Sequence, residues 1–102
     1  MSPNTNYLAG RRMEYERKYH YESLGQSVIR ASGSHGEWDL VAKDWSRGIV
    51  THIQCKLVST EAAATRLLAR FREAPPHIPQ PNCHQRLEVK IKGSKEIQSV
   101  TI

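Results

Sequence analysis

The sequence predicts an α/β domain in the order αβββαββ, and three observations carry that prediction. A run of good helix formers over residues 6–24, free of proline, ends at Gly25, where a left-handed residue closes a helix. Two stretches, 49–57 and 83–92, alternate apolar and polar residues with the period of a strand. Between them Ala64, Leu67, Leu68 and Phe71 recur at helical spacing until Pro75 stops the run.

The remaining elements follow from local chemistry. Residues 26–31 (QSVIRA) have the composition of a short strand, and 32–36 (SGSHG) that of a flexible loop feeding a second strand over 38–43. Asp44-Trp45-Ser46-Arg47-Gly48 suits a hairpin turn. In the strand that follows, Ile49, Thr51, Ile53, Cys55 and Leu57 point to one face, and Val50, His52, Gln54 and Lys56 to the other; this is the expected central strand. Ser59 or Thr60 caps the second helix with Glu61 in its first turn, and its other face offers Arg66 and Arg70 one turn apart, plus Arg72. Residues 75–81, rich in proline, form a loop. In 83–92, Leu87, Val89 and Ile91 are expected to face inward and Arg86, Glu88, Lys90 and Lys92 outward, before Gly93-Ser94 turns the chain into a last strand over 96–102. With no repeat or linker, residues 1–102 form a single domain.

Composition narrows the class. At 38% hydrophobic and 25% charged residues the chain is too apolar for intrinsic disorder, and it has no apolar run long enough to span a bilayer. The N-terminal residues lack the apolar core of a secretory signal, so a cytoplasmic address is expected: nucleoid-associated, or the host cytoplasm for a virus-encoded chain. Two cysteines, Cys55 and Cys83, make no disulfide framework, and neither His52 with Cys55 nor Cys83 with His84 has the second pair that a structural zinc site needs. The net charge of +5 favours polyanionic partners. It is unevenly spread: residues 1–31 carry five basic and three acidic groups and residues 75–102 four and two, while residues 32–58 carry three of each. A basic frame around an acidic patch suits a metal-dependent nuclease. Arg11-Arg12 and Arg17-Lys18 on the first helix are candidates for a phosphate-binding rim.

Three polar residues interrupt apolar patterns: Asp39 in Trp38-Asp39-Leu40-Val41-Ala42, and Gln54 and Lys56 in Ile53-Gln54-Cys55-Lys56-Leu57. Burial without partners would cost kcal/mol each. The pleat puts Gln54 and Lys56 on one face, and a hairpin would bring Asp39 beside them at one edge of the sheet. Phosphodiester hydrolysis uses such a set: oxygen ligands for a hard cation, and a lysine for the attacking water and the phosphate charge. Glu14 on the first helix offers a further carboxylate.

Glu14, Val28-Ile29-Arg30, Gly33-Ser34, Asp39-Leu40-Val41-Ala42 and Gln54-Cys55-Lys56 together resemble, in order and spacing, the archaeal-type Holliday-junction resolvases of the PD-(D/E)xK nuclease superfamily. The resemblance spans roughly residues 7–58. It implies a restriction-endonuclease-like fold, a central mixed sheet flanked by helices. It further implies that Glu14, Asp39, Gln54 and the Cys55 carbonyl gather Mg²⁺, with Mn²⁺ able to substitute, and that Lys56 is the catalytic lysine. Arg30 would contact phosphate near the scissile bond, and Ser34 would sit on a loop at the strand exchange, where the neighbouring His35 could touch phosphate or carry a proton. Arg11, Arg12, Arg66 and Arg70 complete the expected DNA contacts. Such resolvases are homodimers that place paired nicks in a four-way DNA junction, with no small-molecule cofactor and no membrane partner. Where the family carries glutamate this chain has Gln54, as in Mrr-like restriction branches of the superfamily, and where a basic residue commonly follows the helix glutamate it has Tyr15. A restriction-type duplex endonuclease and a DNA-binding module without turnover are the alternative readings.

Overall fold

The first helix, α1 (Thr5–Ser23), stops where Gly25 takes a φ of +86°. The Gln26 amide donates to the Tyr21 carbonyl at 3.2 Å and the Gly25 amide to the Glu22 carbonyl at 3.0 Å. This double closure satisfies carbonyls that a helix end leaves without partners. The computed structural model describes residues 5–31, 38–78 and 80–102, with side chains from residue 8 onward. Beyond α1 run β1 (Ser27–Arg30), β2 (Leu40–Asp44), β3 (Ile49–Val58), α2 (Glu61–Glu73), β4 (Cys83–Ile91) and β5 (Ile97–Thr101).

The five strands form one mixed sheet in the order β1-β2-β3-β4-β5. Only β3 and β4 pair in parallel, because α2 carries the chain back across the sheet between them; the other neighbours are antiparallel. The β2–β3 turn is held by Asp44, whose Oδ1 accepts from the amides of Ser46 and Arg47 at 3.1 and 3.3 Å while Gly48 takes a φ of +68°. Thr60 is the N-cap of α2, its hydroxyl accepting from the Ala63 amide at 3.2 Å.

The helices cover opposite faces. On one, Ala64 and Phe71 of α2 pack with Leu87, Val89 and Val100, flanked by Leu67, Leu68 and Trp38. On the other, Tyr21 of α1 packs with Leu40, Ala42 and Ile53. Alternation along β4 therefore sends Leu87 and Val89 to α2 and Glu88 to α1.

Glu88 corrects the outward orientation expected for it: it is 0% exposed. Arg17 grips it with both guanidinium edges, at 2.7 and 3.2 Å, Arg86 donates at 2.9 Å, and the Tyr21 hydroxyl donates to the same carboxylate. Both faces of β4 are thus covered, so an alternating pattern does not leave its polar half in water. The same contacts take Arg17 out of the expected phosphate-binding rim. Met13, Arg17 and Tyr21, each four residues apart, form the face of α1 that meets the sheet, and an arginine in that stripe conceals it from a hydrophobic reading.

Candidate active site

The site lies where β2 ends and β3 continues. Leu40 pairs with Ile53, and beyond that pair β3 runs on to Val58 with β2 no longer beside it. Trp38 and Asp39, expected within the strand, precede it instead. Asp39 bends the chain there, its amide donating to the Ile53 carbonyl and its carbonyl accepting from the Ala31 amide, both at 2.9 Å. Its carboxylate turns across the gap, and Oδ2 accepts from the Cys55 amide at 2.8 Å. In a strand the N–H and C=O of one residue point to the same side, so the Cys55 carbonyl also faces the flank of β3 that no described strand covers.

Glu14 approaches from α1. Its carboxylate accepts from Arg30 Nε at 3.0 Å, with the two side chains 20% and 14% exposed. Burial raises the Glu14 carboxyl above the ordinary 4.5, the negative charge of Asp39 raises it further, and Arg30 opposes both. Cys55 is the hinge of the group. Burial pushes its thiol up strongly, and the charges of Glu88, Asp39 and Glu14 add to that push. Glu88 is balanced by Arg17 and Arg86, and Glu14 by Arg30.

Arg30 also lies over the Tyr15 ring, 4.8 Å from its centroid, and Arg11 lies 5.6 Å from it. Bonding to Arg11 and the nearby charge of Arg30 lower the Tyr15 phenol below its usual value. Tyr15 thereby holds Arg30 against Glu14, a role the sequence did not suggest.

The other expected residues separate into groups. Cross-strand pairing sets Gln54 beside Leu87 and Lys56 beside Val89, which puts both on the α2 face, whereas Glu14 stands on the α1 face. Gln54 is half-buried and Lys56 exposed; neither makes a side-chain hydrogen bond or ion pair among the described residues. Asp39 and the Cys55 backbone form the link between the two faces. The meeting point of Asp39 with this end of β3 is therefore the flank beyond Ile53, an edge with no described strand beside it, as the hairpin would place it. Arg11 and Arg12 are exposed on α1, and Arg66 and Arg70 on α2, so the expected DNA contacts divide between opposite faces. Ser34 and His35 lie outside the described residues. Among the described residues no three His, Cys, Asp or Glu side chains gather as a metal-binding group. The oxygen donors here are two carboxylates, one amide and one carbonyl, which in kind suit a hard cation.

No protein-family model, curated protein or solved structure matches the chain. Among the described residues no helix is long and apolar enough to cross a membrane.

Proposed function

We propose that this chain is a divalent-metal-dependent DNA endonuclease of restriction-endonuclease-like fold, acting as a homodimer on four-way junctions. The observation that carries the reading is the Asp39 carboxylate bonded to the Cys55 amide on the flank of β3 beyond β2, where its charge helps to raise the Glu14 carboxyl. Burial and the charge of Asp39 raise the proton affinity of Glu14, and a cation relieves that cost. Asp39 and the Cys55 carbonyl, which stand between the two faces, would hold Mg²⁺ or Mn²⁺, with Glu14 reaching them from the α1 face and Gln54 from the α2 face. The metal would supply a Lewis acid for the phosphate and a more acidic water. Lys56, exposed beside the gap, offers positive charge to a phosphate and a partner for the attacking water. The net charge of +5 favours the polyanion, and two copies related by a twofold axis match a junction with the same symmetry.

One observation favours a second reading, a DNA-binding module without turnover. The Arg30 guanidinium already neutralises Glu14, and Gln54 brings no charge to replace it. Cleavage of a labelled four-way junction beside a linear duplex of the same sequence, with Mg²⁺ and with EDTA, separates the readings. Paired nicks in the junction alone, only with metal, are expected. Equal cutting of both substrates would identify a restriction-type duplex nuclease, and binding without product would identify the module.

A further inference from the structure

A cavity of about 490 Å³ opens on the α2 face beside the candidate active site, lined by Trp38, His52, Pro76, His77, Ile78, Gln80, Cys83 and Gln85. Three aromatic rings, those of Trp38, His52 and His77, stand in its lining. The Trp38 ring lies 5.6 Å from the His52 ring at 47° and 5.8 Å from the His77 ring at 39°. The walls are also fixed in place. Buried Gln85 clamps the backbone of His77 from both sides, its Oε1 accepting from the amide at 2.9 Å and its Nε2 donating to the carbonyl at 2.7 Å. His52 is oriented through Nδ1, 3.5 Å from the Cys83 sulfur. A rigid site loses less entropy when it is filled.

The cavity adjoins the candidate chemistry at two points. Trp38 directly precedes Asp39, and His52 precedes Gln54 by two residues on the same face of β3, about 7 Å along the strand. We propose that this cavity receives an unstacked nucleobase of the bound DNA strand, whose backbone then passes the gap between Asp39 and Gln54. The inference rests on the nucleic-acid reading above. The volume and the three rings agree with that occupant: ligand cavities of several hundred Å³ hold groups of this size, and stacking on an aromatic ring accepts any base.

The test uses the Trp45→Phe chain, which leaves Trp38 as the only tryptophan and alters an exposed turn residue. In EDTA, a short mixed-sequence single strand and an abasic strand of equal length and charge are titrated against it, with Trp38 emission and strand anisotropy both recorded. The base-containing strand is expected to change Trp38 emission and to bind about tenfold more tightly than the abasic strand. Adding Trp38→Leu should bring the two affinities together, and the emission arm stands by itself should that variant fail to fold. Equal affinities for the two strands, or a preference with Trp38 emission unchanged, would overturn the proposal. Cleavage with Mg²⁺ is scored separately. Base preference without cleavage keeps the cavity assignment and removes the nuclease reading, whereas cleavage without base preference does the reverse.

Discussion

The Asp39 carboxylate accepts a hydrogen bond from the Cys55 amide at 2.8 Å, closing the backbone of β3 just where β2 has left it. One side chain therefore has two duties, finishing the sheet and supplying charge to the candidate metal site. Two substitutions separate them. Asp39→Asn keeps an oxygen for the Cys55 amide and removes the charge that presses on Glu14; it should leave the urea midpoint unchanged or higher and abolish cleavage. Asp39→Ala leaves the amide without its acceptor and should cost about 1–2 kcal/mol besides abolishing cleavage, while DNA binding measured by anisotropy persists in both.

Glu14 sets a pH dependence. Burial, then the charge of Asp39, raises its carboxyl above 4.5, so the folded chain holds that proton more tightly than the unfolded chain does. Ionised Glu14 thus costs stability at neutral pH, and the cost disappears as pH falls through the raised value. A metal needs the ionised form. The acid limb of the cleavage profile should accordingly lie above 4.5, and Glu14→Gln, which can still accept from Arg30, should melt no lower than the parent while losing metal-dependent cleavage.

The buried network under β4 predicts a different response. Burial would raise the Glu88 carboxyl, but bonds from Arg17, Tyr21 and Arg86 outweigh it and hold the carboxyl below 4.5. Its contribution is complete above the unfolded value and is lost as pH falls through the lowered one, so acid unfolding should begin below 4.5. Tyr21, buried against the same carboxylate, is pushed up to about 12. Glu88→Ala leaves Arg17 facing an apolar interior and should cost about 3–5 kcal/mol in urea unfolding. Replacing the buried members together, Arg17→Met and Tyr21→Phe with Glu88→Leu, should recover most of that loss.

Gln54→Glu tests the missing charge. A third carboxylate beside the Cys55 carbonyl should tighten Mg²⁺ binding by about tenfold, measured as the rise in melting temperature on Mg²⁺ titration. An unchanged response would place position 54 outside the metal site.

What the sequence determined by itself was the set of elements and most of their turns and caps, because the signals for them are local; the start of β2, set by Asp39 bending toward β3, was not among them. Gly25 ends α1, Thr60 and Pro75 bracket α2, Asp44 and Gly48 shape the hairpin, and Gly93 turns β4 toward β5; each acts through backbone torsions or a bond to a residue a few positions away. Asp39 and Gln54 likewise announced themselves as polar residues in apolar strands. Tertiary structure alone decided where charge is buried. Arg17 and Glu88 stand 71 residues apart, and each looks like a surface residue until the two faces of β4 are covered and the ions neutralise one another. It also decided that Glu14 meets Arg30 and feels the charge of Asp39, and that Trp38, His52 and His77 line one cavity. Sheet order and helix placement set those encounters, and electrostatic pairing across them leaves no period in the sequence, because partners matched in charge need no regular spacing.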